Sequence, residues 1–190
     1  MAEQPKELRG RVRSVSSTRK ITKTMELVAT SKMKRAQDRV NAATPYTAKL
    51  RELLTEIVAS GASLNEPLLN ERDNPKKVAV LLVTANRGLC GGYNSNAIRM
   101  AKRVIADLKA KGREVIIDVV GKKGIGTLRF QGYQLNRTYT DLSDRPTYDD
   151  AMRFIAPLRD EFLAGKIDEA HIVWTHWKSV ASQSPTVMRI

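Results

Sequence analysis

Apolar residues recur every three or four positions along the first sixty residues of the chain. The recurring positions are Leu8, Val12, Val15, Ile21, Met25, Val28, Met33, Ala36, Val40, Ala43, Leu50, Leu53 or Leu54, and Ile57. This spacing is typical of a helix with one narrow apolar stripe. Because the stripe is sustained over several heptads, it favours a coiled coil over a helix lying on a globular core. We therefore predict a coiled-coil helix over residues 1–60.

Pro45 falls inside this helical pattern. Proline has no backbone N–H and costs about 3 kcal/mol in the interior of a helix. The pattern alone therefore predicts a kink or a break at this position. After the helix, Gly61, Pro67 and the Asn74–Pro75 pair mark residues 61–76 as a linker.

Short β-rich runs alternate with amphipathic helical segments from Lys77 onward. The predicted strands are 77–85, 113–121, 134–139, 169–177 and 184–190, and the predicted helices are 94–112, 125–130 and 147–165. The residues expected to bound these helices are Asn94 or Ser95, Gly112, and Thr147 or Asp149. Such alternation implies parallel strands with right-handed crossovers. The predicted fold class is therefore α/β: a Rossmann-like layered domain over residues 77–190, with a long N-terminal coiled-coil helix.

Positive charge is concentrated in the first helix. The chain has a formal net charge of +13 at pH 7. Between Arg9 and Arg39 there are ten lysines or arginines and only two acids, Glu26 and Asp38. A surface of one sign favours an acidic partner, and DNA, RNA, anionic lipid and acidic protein all fit on charge alone. A solvated helix face with nothing bound fits as well.

Residues that carry catalytic or metal chemistry are few. His171 and His176 are the only histidines, and a lone histidine in or near a strand is more often structural than a metal ligand. Cys90 is the only cysteine, which excludes an intrachain disulfide. It is expected to be a small buried thiol rather than a nucleophile. No apolar run is long enough for a membrane span, and the N-terminus lacks the apolar core of a signal peptide.

The segment VTANRGLCGGYNSN, residues 83–96, has the strand, glycine-rich turn and helix order of a phosphate-binding loop. Its glycines fit neither the dinucleotide fingerprint nor the P-loop spacing. GKKGIGT, residues 121–127, has two glycines at P-loop spacing but places Thr127 where the motif needs lysine. We therefore expect no nucleotide at either loop, and we expect no cofactor, metal or catalytic residue.

Three segments resemble the gamma subunit of F-type ATP synthases, the central rotor stalk. RSVSSTRKITKTMELVATSKMKRAQ (13–37) is similar to its N-terminal helix, RGLCGGYNSN (87–96) to its most recognisable loop, and SQSPTVMRI (182–190) to the segment before its final helix. Asn86 departs from the family, which commonly has aspartate there. Pro45 and Tyr46 match a family pattern in which the helix continues, so the resemblance contradicts the predicted break.

The resemblance implies a non-catalytic rotor that couples proton flow to ATP synthesis or hydrolysis on the beta subunits. The implied partners are the alpha and beta subunits, the epsilon subunit and the membrane c-ring, with no nucleic acid and no direct membrane insertion. The implied location is peripheral, on the cytoplasmic face of a bacterial plasma membrane. The family shaft has a second long helix after the α/β domain. The resemblance implies that this helix is absent from the 190 residues, leaving the apolar stripe exposed or covered by another chain.

The resemblance also selects two groups of residues. The candidates for the rotor surface are Arg9, Arg13, Lys20, Lys23, Met25, Lys32, Lys34 and Arg35. The family loop comprises Arg87, Gly88, Leu89, Cys90, Gly91, Gly92 and Asn94. In this loop Gly91 and Gly92 are expected to permit a tight turn, and Gly88 a close approach of the backbone. With Cys90 alone, no dithiol switch is expected.

Two other functions are compatible with parts of the sequence. A nucleic-acid-binding protein would use the basic helix, but such proteins interleave aromatic residues with the charge, and none occurs between Arg9 and Arg39. A nucleotide-using Rossmann enzyme would use the glycine-rich loops, but both fail the known spacings.

Overall fold

The computed structural model describes residues 5–60, 66–70 and 72–190. Part of the predicted linker, residues 61–65 and 71, lies outside the described residues. The chain divides into two compact units, Met1–Leu64 and Asn65–Ile190.

The first unit is one helix, α1, which spans the 55 residues Pro5–Ala59. It continues through Pro45, so the break predicted from the pattern is wrong and the continuation implied by the resemblance is correct. Proline deprives the Asn41 carbonyl of its helical donor, whereas the hydroxyls of Thr44 and Thr47 donate to carbonyls of the preceding turn on either side. None of the described residues of α1 is buried, and its apolar side chains are exposed.

The second unit is a five-stranded sheet with three helices. The strands are β1 (Lys77–Val83), β2 (Glu114–Val120), β3 (Arg137–Tyr139), β4 (Glu169–Ser179) and β5 (Ser182–Arg189), in the order β3-β2-β1-β4-β5. The first four strands pair in parallel, as predicted. β5 instead pairs antiparallel with β4, because the two residues between them can form a hairpin but cannot form a crossover.

The helices are α2 (Tyr93–Ala110), α3 (Lys122–Phe130) and α4 (Tyr148–Leu163). Thr147 caps α4 as expected and forms a capping box with Asp150. Two predicted starts are wrong: α2 is capped by Gly92 rather than by Asn94 or Ser95, and α3 begins three residues before Ile125. A single 3₁₀ turn, Pro67–Leu69, precedes the sheet.

β1 is the centre of the core because it is buried on both faces. Val78, Val80 and Leu82 point to the face covered by α2 and α3. Ala79 and Leu81 point to the opposite face, which α4 covers. A central parallel strand covered on both sides has a continuous apolar sequence rather than an alternating one, and the run VAVLLV is such a sequence.

Asp118 is a buried carboxylate on β2, only 1% exposed. Its Oδ1 accepts hydrogen bonds from Asn136 Nδ2 and the Arg137 backbone N–H, both at 2.9 Å. Arg137 also pairs with Glu161 of α4, so this network joins β2, β3 and α4. Burial raises the pKa of Asp118, against the opposing effect of these hydrogen bonds and of the Arg137 charge.

Asp168 is a contrasting carboxylate that precedes β4. Its Oδ2 accepts from the backbone N–H groups of Lys77 and Lys76, both at 2.9 Å, and Arg72 lies 3.2 Å from Oδ1. The hydrogen bond from Lys77, then that from Lys76, lowers the pKa of Asp168, and Arg72 adds to the effect.

The opposite directions of these two pKa shifts predict opposite pH profiles of stability. The pKa of Asp118 is raised in the folded chain. Its contribution to the stability of the fold is therefore lost as pH rises from about 4 through that raised pKa. Asp168, with its pKa lowered, makes a contribution that is present above about pH 4 and lost as pH falls. Urea unfolding of the parent chain and of the Asp118→Asn and Asp168→Asn variants, across pH 3.5–7, measures how the free energy of unfolding of each variant differs from that of the parent. Difference curves that slope in the same direction would contradict this assignment.

Candidate partner-binding surfaces

Five of the ten basic residues between Arg9 and Arg39 form a basic stripe opposite the apolar residues of α1, and the other five lie elsewhere around the helix. At 3.6 residues per turn, Arg9, Arg13, Lys20, Lys23 and Lys34 fall within about 80° of arc. The apolar stripe is centred roughly 180° away. The basic stripe is exposed along its length, so its charges can contact a partner.

The remaining rotor-surface candidates lie elsewhere around α1. Met25 and Lys32 lie on the apolar side of the helix, and Arg35 lies between the two stripes. The eight candidates therefore do not form one face. Two basic-stripe residues have ion pairs along the helix: Lys23 with Glu26 at 3.1 Å and Lys34 with Asp38 at 3.0 Å. Exposed pairs of this kind contribute about 0–1 kcal/mol, so a partner can displace them at little cost.

The loop from Val83 to Tyr93 is anchored by Thr84, immediately after β1. The Thr84 hydroxyl donates to the Val120 carbonyl at 2.8 Å and accepts from the Gly124 backbone N–H at 3.0 Å. Gly121 packs so closely that a Cβ atom there would lie 2.2 Å from the Thr84 carbonyl oxygen. With φ at 98°, Gly121 also has a backbone conformation that other residues rarely adopt.

Asn86 connects three segments. Its Oδ1 accepts from the Lys122 backbone N–H at 3.0 Å, and its Nδ2 donates to the Leu142 carbonyl at 2.9 Å. An aspartate, common in the resembling family at this position, could accept the first bond but could not donate the second. Asparagine therefore adds a contact to the segment before α4.

These bonds leave α3 without open donors for a phosphate. Its first three N–H groups donate to Asn86, to the Ala85 carbonyl at 3.2 Å and to Thr84. A helix N-terminus binds phosphate through its first N–H groups, which must be free of other hydrogen bonds. The glycines of GKKGIGT therefore serve close packing against the β1–α2 loop, and no helical N–H of this turn remains for a nucleotide.

Asn94 holds the family loop from within α2. Its Oδ1 accepts from the Ala85 N–H at 2.9 Å, and its Nδ2 donates to the Arg87 carbonyl at 3.2 Å and contacts the Cys90 sulfur at 3.1 Å. The structure thus brings Arg87, Cys90 and Asn94 together. Arg87 Nη2 also pairs with both carboxylate oxygens of Asp144, at 2.6 and 2.7 Å.

The tip of the loop is exposed to solvent and does not pack against the domain. Gly91 has φ of 55°, which supports the tight turn expected there, and Leu89 has φ of 58° with its side chain 93% exposed. A Cβ atom on Gly88 would make only ordinary contact with Lys123, so the close approach predicted for Gly88 is wrong. Gly92 has φ of −79°, which other residues also adopt, but a Cβ atom there would lie 2.8 Å from Asn96 Nδ2. Cys90 is exposed, so the expectation of a buried thiol is also wrong.

Thr84, Gly121 and Gly124 are the anchor residues that the sequence did not reveal. Their contacts join two loops that lie about 36 residues apart in the chain. The signal available in the sequence is the glycine pair of GKKG, Gly121 and Gly124. Close packing between the ends of neighbouring parallel strands is a physical reason for small residues there.

Neither a metal centre nor a membrane span is found in the part of the chain that the structure describes. Within residues 5–60, 66–70 and 72–190, no three His, Cys, Asp or Glu side chains are grouped to hold a metal ion. Among the helices of the same residues, none is long and apolar enough to cross a membrane.

Comparison with known proteins gives a consistent family. The family model described as ATP synthase matches residues 4–190. The ATP synthase gamma chain of Mycolicibacterium vanbaalenii is 41% identical over 100% of this chain and 66% of its own length. That of Gemmatimonas aurantiaca is 44% identical over 97% of this chain and 64% of its own length. The chain therefore belongs to the gamma-chain family of ATP synthases.

The fold agrees with that family. A chain in the central stalk and c-ring structure of the Tetrahymena thermophila mitochondrial ATP synthase has a TM-score of 0.67 and 21% identity. The match covers 90% of this chain and 71% of that chain. The present chain spans about two thirds of the length of the curated relatives it matches.

Gly121, the N-cap of α3, and Gly126 within α3 test the anchor at Thr84. Gly121→Ala should lower the free energy of unfolding by roughly 2–4 kcal/mol, because its Cβ meets a carbonyl oxygen at a strained φ. Gly126→Ala is the matched control, since nothing lies within 4 Å of its Cβ position. It should raise stability by about 0.5–1 kcal/mol through helix propensity. Urea unfolding measures both; equal effects of the two substitutions would contradict the proposed close packing.

Gly91 tests the geometry of the family loop. Gly91→Val should misplace the loop because a β-branched residue tolerates positive φ poorly, at a cost of roughly 1–3 kcal/mol. Gly91→Asn should retain the loop, because asparagine adopts this conformation more readily. Hydrogen exchange of the Ala85 N–H, which donates to Asn94, reports the position of the loop. Full protection of this N–H in the valine variant would show that positive φ at Gly91 is not required.

Proposed function

We propose that this chain is part of the non-catalytic central stalk of a proton-translocating F-type ATP synthase. The observation that carries the proposal is α1: a 55-residue helix with an apolar stripe on one side, a basic stripe on the other and no buried residue. A helix of this kind suits one of the two helices of a coiled-coil shaft. Membership of the gamma-chain family supports the same role.

The apolar stripe accounts for the assembly of the shaft. Its larger side chains, such as Val12, Val15 and Ile21, are 58–68% exposed. Full burial of a residue of this size contributes about 1.5–3 kcal/mol. A second helix packed along the stripe would bury it, and in the resembling family this helix follows the α/β domain. Two packed helices also resist bending and twisting better than one.

The basic stripe accounts for the contact with the catalytic ring. An asymmetric shaft that turns inside the ring of alpha and beta subunits stabilises a different conformation of each beta subunit in turn. Such coupling requires different contacts with each state of the partner. Weak exposed charge pairs suit this purpose, because a rotor must make and break them repeatedly. The proposed counterpart is an acidic surface on the beta subunits.

The α/β domain carries the second contact. We assign the Arg87–Asn94 loop to a protein partner rather than to a phosphate, since its glycines fit no phosphate-binding spacing and the first N–H donors of the neighbouring α3 are occupied. The loop would lie against the stalk near the catalytic ring. The epsilon subunit and the membrane c-ring are the other proposed partners. The complex would hold the chain peripherally at the cytoplasmic face of a bacterial plasma membrane.

Assembly with purified subunits tests the proposal. The tagged chain, mixed with alpha and beta subunits, should co-purify with them as a stoichiometric ring complex. Binding to mixed-sequence DNA at physiological ionic strength, with no ring complex formed, would instead support a nucleic-acid partner and overturn the proposal.

Charge reversal on α1 tests the role of the basic stripe. Lys20→Glu with Lys23→Glu and Lys32→Glu should lower proton pumping per ATP hydrolysed in the reconstituted complex, with an unchanged melting curve for the α/β domain. Because Lys32 lies outside the basic stripe, the Lys20→Glu/Lys23→Glu pair should account for most of the loss. Lys166→Glu with Lys178→Glu is the control for that pair, because it makes the same change of charge on exposed positions of the second unit. Unchanged coupling in the triple variant would remove the stripe from the mechanism.

A further inference from the structure

The helices on the two faces of the sheet carry opposite net charge. α2 and α3 pack on the same face, where their buried residues share one hydrophobic cluster. Together these helices contain seven basic residues and one acid, Asp107. The seven are Arg99, Lys102, Arg103, Lys109, Lys122, Lys123 and Arg129. On the opposite face, α4 contains four acids and two basic residues.

The basic residues of α2 and α3 also lack acidic neighbours. Among the described residues, none of the seven has a carboxylate within ion-pair distance, and six of them are exposed. Several other arginines of the second unit are paired, including Arg113 with Glu169, Arg137 with Glu161 and Arg153 with Asp141. Charge on the α2–α3 face is therefore available to an external partner.

One large apolar side chain accompanies this charge. Phe130, at the end of α3 and next to Arg129, is 93% exposed. It is the only large exposed hydrophobic residue among the described residues of α2 and α3. Protein interfaces generally have an apolar centre from which charge is depleted, and this face has no such centre. Basic residues near a membrane surface are attracted to anionic headgroups, and an aromatic ring can lie at the level of the headgroups.

We propose that the face formed by α2 and α3 binds the anionic headgroups of a membrane surface. The cations attract the headgroup phosphates without requiring a fixed geometry, which suits flexible and unpaired lysines and arginines. Phe130 enters the boundary between headgroups and acyl chains. This inference concerns residues outside the family loop and α1, and it does not rest on the proposed function.

Vesicle flotation with the full chain tests the proposal. The parent chain should bind vesicles of phosphatidylglycerol and phosphatidylcholine, should bind pure phosphatidylcholine at least tenfold more weakly, and should be released by salt. Arg99→Glu with Arg103→Glu should weaken binding to the anionic vesicles at least tenfold, since each basic residue near such a surface contributes substantially. Phe130→Ala should weaken it severalfold with no change in the salt dependence.

The control variant carries the same change of charge away from this face. Lys166→Glu with Lys178→Glu should lower binding less than threefold, and melting curves should show that all variants are folded. Equal losses in the two charge variants, or equal binding of neutral and anionic vesicles, would overturn the proposal. Retained binding in Arg99→Glu/Arg103→Glu would assign the lipid contact to another surface, such as α1. Binding to polyglutamate without binding to vesicles would assign the face to an acidic protein.

Discussion

The hydrogen bonds of the Thr84 hydroxyl hold together the carboxyl ends of β1 and β2, and the position of the family loop depends on them. One bond reaches the end of β2, and another reaches the first turn of α3. They fix the direction in which the chain leaves β1, and thereby the positions of Asn86 and Arg87. Gly121 makes the arrangement possible because no side chain fits between these two segments. The exposed tip of the loop is rigidly placed as a result of contacts that are themselves buried.

The sequence predicted those parts of the fold that depend on local periodicity. The α1 helix and the β1, β2 and α4 elements follow from apolar spacing and from the Thr147 cap, which are properties of short segments. Their pattern also gave the α/β class. The orientation of β5 was missed, because strand direction follows from connection length and not from the composition of the strand.

Predictions of individual roles in the candidate site were less successful, for reasons that can be named. Asn94 has the right type for a helix cap, but it lies one residue inside α2 and bonds the backbone of the loop instead. Gly88 and Gly92 were assigned a need for glycine that their backbone does not have. Propensity describes what a residue tolerates, whereas these roles depend on atoms brought from distant parts of the chain. The continuation of α1 through Pro45 shows the same limit, since a cost of about 3 kcal/mol can be outweighed within a long helix.

The unequal distribution of charge across the sheet has a consequence that precedes any contact. With positive charge on α2 and α3 and an acidic excess on α4, the helices on the two faces of the sheet contribute an electric dipole across the domain. Near a charged surface, such a dipole experiences a torque, so the domain rotates as it approaches. The torque acts within about one Debye length, roughly 8 Å at physiological ionic strength. The charge of this small domain therefore determines which of its sides first meets the charged surface. Added salt screens the charge and makes the orientation of the encounter random.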